Sequence, residues 1–343
     1  MERPSRIPFL LTAYGLPHSM GYLATADGLK HANPLSVSSL LDLAEAEGLA
    51  GIEVPLTSVV PSFDGAEVSV APAEAEAGAE ARRRGLTLVA DYGALLDHEP
   101  EHLREYLALA ARSGVTTVRA TLSHILCGDR RRLAGGWPSH FTALAERLTR
   151  VLPFAADLGL CLAVENHQDA TTEDLLELAD RTGHSPAFGV TLDTGNPLAV
   201  GQDPLEAARS LAHIVRHLHL KDYTIHFAAE GYRLVRCAAG DGAVDFPAIL
   251  STIRANGHNV IPGIEIAAQA TRTIPLLDAG WWDGYPPRQA RDLVPALRVL
   301  WEQGRAAFEP YSSAWERGEG SDVVAAEELD VVRRSIHYFR DIA

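Results

Sequence analysis

Four short apolar runs in this chain each end at or near a side chain that can bind a metal ion. These side chains are Glu165, Asp193, His219 and Glu265. Parallel barrels build their sites in this way, because the C-terminal ends of their buried strands converge on one mouth. We therefore predict that the four residues come together as one divalent-metal site. The alternative is that each is a separate polar group, satisfied on its own at a strand end.

The rest of the chain alternates short apolar runs with longer segments of helical periodicity. This order predicts a parallel sheet closed as an α/β (β/α)8 TIM barrel, with an open doubly wound sheet as the second choice. Strands are predicted at 7–14, 51–54, 86–91, 116–121 and before each of the four side chains. Helices are predicted at 36–47, 73–84, 99–112, 139–158, 172–181, 204–213, 246–256 and 293–303, with Ser36 and Thr172 as N-terminal caps of two of them.

The chain divides by pattern into a barrel and a C-terminal extension. Its 343 residues are enough for a TIM barrel of about 250 residues with insertions and a tail. We predict the barrel at residues 1–305 and the extension at 306–343. Within the extension, 309–320 is predicted as a linker and 321–342 as an amphipathic helix. The stretch 223–242 is predicted as a long connection without strands.

Composition narrows the classes of function. The chain has 30 Lys and Arg against 45 Asp and Glu, a formal charge of −15, which disfavours a nucleic-acid partner. Three scattered cysteines do not make a disulfide framework. No apolar run approaches the length of a membrane span, and no signal peptide is apparent, so a cytoplasmic protein with no membrane partner is expected.

The chemistry of the four side chains indicates which ion they would hold. Three carboxylates and one imidazole form a hard, oxygen-dominated set that suits Mn²⁺, Mg²⁺ or Co²⁺. Such an ion polarises a carbonyl or hydroxyl oxygen, and a neighbouring carboxylate can then take a proton from the adjacent carbon. We expect one ion per chain, Mn²⁺ before the other two.

Four segments carry a resemblance to a known family. They are Val164-Glu-Asn-His167, Leu192-Asp-Thr-Gly195, His217-Leu-His-Leu-Lys-Asp222 and Gly263-Ile-Glu265. Together they resemble the xylose-isomerase-like sugar isomerase/epimerase superfamily, which also contains AP endonucleases, from about residue 7 to 267. The resemblance implies a TIM barrel with a single Mn²⁺-type site. It also implies that the two glutamates of the site, Glu165 and Glu265, are proton-transfer bases acting on a ketose or keto-sugar.

Two further positions bear on this resemblance. Arg236, in the segment 235–242, matches the family arginine that reaches substrate oxygens, although it can also be a surface arginine. In the AP endonuclease branch a histidine stands where this chain has Asn196, and an Asp-x-His pair supplies more metal ligands. Here residues 236–238 are Arg-Cys-Ala, so a multi-metal phosphodiesterase site is not expected.

Several side chains near the strand ends are candidates for direct roles. His167 is two residues beyond Glu165 and is predicted on the same side, as an acid, a base or a group that orients a ligand. Lys221 stands in the same relation to His219 and is predicted to contact substrate. Substrate contacts are also predicted for His124, Asn196 and Trp281, of which the tryptophan can instead pack the tail.

The function predicted from these residues is metal-dependent isomerisation or epimerisation through a proton taken next to a carbonyl. The alternative is a lyase that expels a group after the same first step, because residues 230–237 and the Trp-Trp loop resemble large subunits of C-glycoside deglycosidases. A catalytically inactive sugar-binding protein is the third possibility. The expected partner is a sugar or keto-glycoside, and the expected assembly is a homo-oligomer or a hetero-oligomer with a small subunit.

Overall fold

A parallel barrel of eight strands forms the centre of the protein. The structure is a computed structural model that describes residues 7–56, 59–61, 67–69, 75–266, 270–306 and 312–342. Its strands are β1 (Ile7–Thr12), β2 (Leu49–Pro55), β3 (Val59–Pro61), β4 (Glu67–Ser69), β5 (Thr87–Ala94), β6 (Thr117–Thr121), β7 (Cys161–Glu165), β8 (Phe188–Asp193), β9 (Val215–Leu220), β10 (Tyr223–Ala228), β11 (Gly231–Arg236), β12 (Gly263–Ile264), β13 (Arg272–Ile274) and β14 (Gly304–Arg305).

The barrel is closed in the order β1-β12-β9-β8-β7-β6-β5-β2. The closing contact is made by β1, where Leu10 pairs in parallel with Gly51 on one side and with Gly263 on the other. A strand with two partners is not an edge, so the open doubly wound sheet is excluded and the predicted TIM barrel is confirmed. The C-terminal ends of the strands therefore lie at one mouth.

Helices follow the strands and pack around them. They are α1 (Val37–Ala46), α2 (Ala75–Arg83), α3 (Pro100–Arg112), α4 (Trp137–Asp157), α5 (Thr172–Arg181), α6 (Pro204–Leu211), α7 (Phe246–Ala255), α8 (Val294–Gln303) and α9 (Ser321–Ile342). Their predicted positions are confirmed to within a few residues. The first two residues of the predicted helix 73–84 lie outside the described part of the chain.

Side-chain caps determine where two of these helices begin. As predicted, Ser36 caps α1, because its hydroxyl oxygen accepts a hydrogen bond from the backbone N–H of Ser39. The predicted cap Thr172 of α5 is wrong by one residue. The cap is Thr171, which exchanges hydrogen bonds with Asp174 in a capping box.

A second, smaller sheet lies beside the barrel, in the order β13-β11-β10-β14. Its central hairpin, β10–β11, occupies a stretch that was predicted as a connection without strands, and that prediction is wrong. Alternate residues of the hairpin are apolar and fully buried, as at Tyr223, Ile225, Tyr232 and Leu234. This period of two is the signal for strands that the prediction overlooked. The apolar face builds a second hydrophobic core with the segment that follows β8.

The C-terminal helix α9 spans the residues predicted for it and packs directly on the barrel. Val332, Ile336 and Phe339 belong to the main core, and the ring of Phe339 stacks on Phe9 of β1 at 5.0 Å. Nothing in these contacts tests the division at residue 305, which stays a prediction.

From residue 312 onward, the segment before α9 packs on the rest of the protein and is not the linker that was predicted. Ser313 and Ala314 are buried, and the indole N–H of Trp315 donates to the backbone carbonyl of Ala24 at 3.0 Å. Residues 309–311 of the predicted linker lie outside the described residues. Within the described ranges, none of the helices combines the length and hydropathy needed to span a bilayer.

Candidate metal centre

The four predicted ligands meet at the mouth of the barrel. Glu165 and Asp193 are the last residues of β7 and β8, His219 lies in β9, and Glu265 follows β12. Glu165, Asp193 and His219 offer ligand atoms that all lie within 4.8 Å of one another. Nδ1 of His219 lies 2.7 Å from Oε2 of Glu265 and 3.6 Å from Oε2 of Glu165. The structure thus brings together all four side chains that the sequence singled out.

Several atoms of this cluster lack hydrogen bonds and fit a divalent ion. Nδ1 of His219 and Oε2 of Glu265 are buried and form an ion pair at 2.7 Å, and neither has a hydrogen-bond partner among the described residues. Oδ2 of Asp193 also lacks a hydrogen bond, although it forms an ion pair with Lys221. Buried acceptors without hydrogen bonds are unfavourable unless something else satisfies them. A hard divalent cation satisfies such oxygen and imidazole donors together.

Glu53 of β2 orients His219. Its two carboxylate oxygens lie 2.9 and 3.0 Å from Nε2 of His219, and one of them is 2.7 Å from Nε2 of His217. An Nε2–H held by a carboxylate leaves Nδ1 of His219 free for a metal, as is usual behind metal-binding histidines. Burial alone would raise the pKa of Glu53, but the charges of His219 and His217 lower it to about 2.

Glu53, His217 and His219 also lie close enough together to hold a metal ion. This second triad has His219 in common with the first cluster. In this triad, however, the carboxylate and the two Nε2 atoms already pair with one another at 2.7 to 3.0 Å. We therefore assign Glu53 and His217 a positioning role. Sequence reasoning did not identify either residue. The available signal was a carboxylate inside an apolar strand.

A buried arginine balances the negative charge of the centre. Arg119 of β6 contacts the carboxylate of Glu165, and its Nη1 lies 2.8 Å from Oδ1 of Asp91 on β5. Removing one partner of such a buried pair would leave an uncompensated charge. This arginine was also missed, although Thr117-Val-Arg-Ala-Thr121 places a charged residue within an apolar strand.

Two asparagines hold the carboxylates in place. The side-chain amide of Asn196 donates to Oε1 of Glu165 at 3.0 Å. The amide of Asn166 bonds both the backbone N–H and the carbonyl of Asp193, at 2.6 and 3.1 Å. Asn196 was predicted to touch substrate. Here its side-chain N–H donates to Glu165, while its buried carbonyl oxygen has no hydrogen-bond partner among the described residues.

Lys221 inserts its ammonium group between two of the predicted ligands. Nζ pairs with Asp193 and lies 2.8 Å from Oε1 of Glu265. Burial and the charge of Arg236 act to lower the pKa of Lys221, but the two carboxylates outweigh them and raise it. The side chain is therefore a charged donor placed beside two of the candidate ligands.

His167 is buried next to the same cluster. Burial lowers its pKa to about 3, so the imidazole is neutral near pH 7. Its Nδ1 has no hydrogen-bond partner in the described part of the protein. A neutral imidazole with a free nitrogen can accept a proton, which is the chemistry expected of a general base.

The other three predicted contacts lie in different surroundings. Arg236, the last residue of β11, is buried with Nε and Nη1 unpaired. His124 is half-buried and lies 2.7 Å from Oδ2 of Asp97 on the wall of a cavity of about 990 Å³. Trp281 is fully buried in the second core, and its indole N–H donates to the carbonyl of Cys127 at 2.8 Å. This burial supports its alternative role, which is packing.

The cavity opens at the C-terminal side of the barrel strands. Its wall includes residues that follow β1, β5, β6 and β12, namely Tyr22, Thr25, Leu96, Asp97, Ser123, His124, Ala270 and Arg272. Its volume is within the range of small-molecule sites. The cavity can therefore admit a sugar-sized compound at the mouth of the barrel.

Comparison with known proteins agrees with this geometry. The model of the xylose isomerase-like TIM barrel family matches residues 41–285. The chain belongs to this family. That membership confirms the resemblance drawn from the strand-end motifs.

Curated relatives of this xylose isomerase-like barrel include enzymes of sugar metabolism. The chain is 28% identical to 3-oxo-isoapionate decarboxylase of Pectobacterium atrosepticum over 260 residues, which is 72% of this chain and 85% of that protein. It is 27% identical to an inosose dehydratase of Clostridium botulinum over 129 residues, 34% of this chain and 43% of the relative.

Solved structures with the same fold include a D-allulose 3-epimerase from Methylomonas sp. in complex with D-allulose. The TM-score is 0.55 at 14% identity, covering 88% of this chain and 99% of that one. A xylose isomerase-like TIM barrel protein from Mycobacterium smegmatis, in complex with magnesium, superposes with a TM-score of 0.54 at 17% identity and the same coverage. At these identities the likeness concerns the fold of the barrel.

Proposed function

We propose that this protein is a divalent-metal-dependent isomerase or epimerase of ketoses or keto-sugars, which acts by removing a proton next to the carbonyl. The observation that carries the proposal is the pair Glu165 and Glu265. Both carboxylates approach the same nitrogen of His219, yet they arrive from β7 and β12, with β8 and β9 between them. A substrate bound at this point has a carboxylate on either side.

The reaction needs a base, a returning acid and donors for developing negative charge. Glu165 and Glu265 supply the first two: one carboxylate takes the proton from one face, and the other, in its protonated form, delivers its own proton to the opposite face. Proton exchange with solvent then resets both groups. Asp193 and His219 complete the ligand set. A divalent ion held there supplies the positive charge that polarises the carbonyl oxygen. Lys221 and Arg236 donate hydrogen bonds to substrate oxygens.

Burial of the site contributes to this chemistry. All four predicted ligands and Lys221 are nearly inaccessible to solvent, so water does not screen their charges or compete for the proton. Arg119 and Glu53 hold the glutamate and the histidine in position through buried hydrogen bonds.

A lyase is the second candidate, favoured by His167. This neutral imidazole, whose Nδ1 has no hydrogen-bond partner among the described residues, provides a base that is separate from the two glutamates. A carbanion next to a carbonyl can expel a group from the next carbon instead of being reprotonated. One relative, an inosose dehydratase, carries a name that fits this elimination. Another is named a decarboxylase, a lyase in which loss of carbon dioxide itself forms the carbanion next to the carbonyl. The C-glycoside deglycosidase alternative, with a small partner subunit, belongs to the same class.

Solvent-deuterium incorporation separates these functions. The purified protein with Mn²⁺ is incubated in D₂O with a panel of ketoses, keto-sugar acids and 3-keto-glycosides. Deuterium at the carbon next to the carbonyl, without release of any group, is expected for the isomerase or epimerase. Release of an aglycone, water or carbon dioxide would indicate the lyase. Absence of both reactions with every substrate would leave a sugar-binding protein and refute the proposal.

Matched variants connect the outcome to the residues. Glu265→Gln should abolish net turnover, whereas Glu302→Gln, an exposed position on α8, should behave like the wild type. His167→Ala distinguishes the two mechanisms, because it should be more damaging than the glutamate change only in a lyase that uses the histidine as its base.

A further inference from the structure

Two arginines lie side by side on the buried face of the small sheet. On β11, Arg236 pairs directly with Tyr223 of β10, and Leu234 pairs with Arg272 of β13. Side chains two residues apart on a strand point to the same face, so Arg272 is a diagonal neighbour of Arg236 on that face. The guanidinium of Arg236 lies 5.7 Å from the ring centre of Tyr223, which confirms the direction of its side chain.

Both arginines are buried but lack anionic partners. Arg236 and Arg272 are each only 8% exposed to solvent. Among the described residues, Nε and Nη1 of Arg236 and Nε of Arg272 have no hydrogen-bond partner. Nη1 of Arg272 reaches the nearby carbonyls of Ala270 and Thr271, at 3.2 and 3.4 Å. Over the ranges that the structure describes, neither arginine forms an ion pair with a carboxylate. Two unpaired buried charges are unfavourable unless a ligand compensates them.

Their charges act on each other and on the metal centre. Burial and the positive charge of Arg236 lower the pKa of Arg272. Burial acts to lower the pKa of Arg236 as well, but the charges of Tyr223, Glu265 and Asp193 outweigh it. Arg272 also lines the large cavity at the mouth of the barrel. Arg272 thus faces the cavity, and Arg236 beside it feels the charges of the candidate ligands Glu265 and Asp193.

We propose that Arg236 and Arg272 together bind a carboxylate group of the substrate, so that the substrate is a keto-sugar acid and not a neutral ketose. The inference rests on the proposed function, because it identifies the substrate class of the same site. Planar guanidinium groups match the two oxygens of a carboxylate and form charge-assisted hydrogen bonds with it. One carboxylate would fill several of the unpaired donors and offset the excess positive charge.

A carboxylate suits this site better than a phosphate. Phosphate sites commonly use free backbone N–H groups at a helix N-terminus. Arg236 and Arg272 both lie on paired strands, and neither is at the start of a helix. The site thus offers side-chain forks, which match a planar anion.

Equilibrium binding of matched compounds tests the proposal without relying on turnover. The probes are D-ribonate, ribitol and D-ribose 5-phosphate, measured by calorimetry with and without Mn²⁺. The wild type should bind ribonate about 10- to 100-fold more tightly than ribitol, the range expected for hydrogen bonds to a charged group. Arg272→Met should bring this ratio close to one and leave ribitol affinity unchanged. Arg272→Lys, which keeps the charge but not the fork, should give an intermediate ratio.

Controls make the result decisive. Arg298→Met removes one exposed positive charge from α8 and should leave the ratio as in the wild type. Circular dichroism and thermal unfolding check each variant. If Arg272→Met does not fold, the proposal is tested by the ribonate-to-ribitol affinity ratio of the wild type and of Arg272→Lys. Equal wild-type affinity for ribonate and ribitol, an unchanged ratio in a folded Arg272→Met, or tighter binding of ribose 5-phosphate than of ribonate would each overturn the proposal.

This outcome is independent of the test of the proposed function. A preference for ribonate that depends on Arg272 can hold even if no compound of the panel, keto-sugar acids included, exchanges a proton with D₂O. Conversely, exchange with neutral ketoses can occur in a protein that shows no preference for ribonate. The first result would refute the reaction, and the second would refute the substrate class.

Discussion

The role of Glu53 is the prediction that depends most directly on the tertiary structure. Its carboxylate accepts hydrogen bonds from Nε2 of both His217 and His219. Glu53→Gln replaces one acceptor oxygen by an NH₂ donor of nearly the same size. The amide oxygen can accept from only one histidine, and the NH₂ group faces the other. If that other residue is His219, its proton must move to Nδ1, the nitrogen that faces Glu165 and Glu265.

The expected magnitude follows from this change in the histidine. Mutation of a group that orients a metal-binding histidine typically weakens metal affinity by about 10- to 100-fold, or about 1.4 to 2.7 kcal/mol. Loss of a metal ligand would weaken it further. We therefore expect Glu53→Gln to bind Mn²⁺ within that range, and His219→Ala to bind it more weakly still.

The measurement is a Mn²⁺ titration followed by electron paramagnetic resonance, with Glu302→Gln as the control for an exposed acid-to-amide change. Thermal unfolding without metal separates a loss of fold from a loss of affinity. Unchanged Mn²⁺ affinity in folded Glu53→Gln would refute the positioning role. An effect as large as that of His219→Ala would indicate instead that Glu53 is itself a ligand.

Three further predictions concern the ion, the bases and the tail. Elemental analysis should find about one divalent ion per chain, and two would mean that the triad of Glu53, His217 and His219 is also loaded. Glu165→Gln and Glu265→Gln should each retain Mn²⁺ in excess metal but lose at least about 10²-fold in turnover, so full activity with metal bound would remove that glutamate from the proton transfer. Burial raises the pKa of Glu328 from 4.5 to about 8, so the folded state binds its proton more tightly than the unfolded state does. This contribution to stability should be present at pH 5 and lost towards pH 8, and urea unfolding of Glu328→Gln should lack it; the same pH dependence in both proteins would refute the shift.

Much of the barrel could be predicted because its signals are local. Apolar residues recur at every second position in strands and at every third or fourth position in helices. The alternation of these two patterns along the chain indicates parallel strands. Once the strands are parallel, their C-terminal ends must converge, so Glu165, Asp193 and His219 could be grouped without knowing any distance. The hairpin β10–β11 was missed although its alternation is equally local.

The interior of the site could not be predicted, because it depends on which distant strands face each other. Glu53 and His219 are 166 residues apart in the chain, and only closure of the barrel brings their side chains into contact. Arg119 meets Glu165 for the same reason.

The amino-acid sequence by itself determined the class of fold, the membership of the family and the set of metal-competent side chains, since these follow from local periodicity and from residue types at strand ends. Only the tertiary structure decided how that set is supported and what surrounds it. Pairing of β11 with β13 sets Arg272 beside Arg236. The folding of the small sheet buries both, and neither forms an ion pair with a carboxylate in the part of the chain that the structure describes. The burial of a charge is a property of the assembled chain, because it depends on every segment that packs around it.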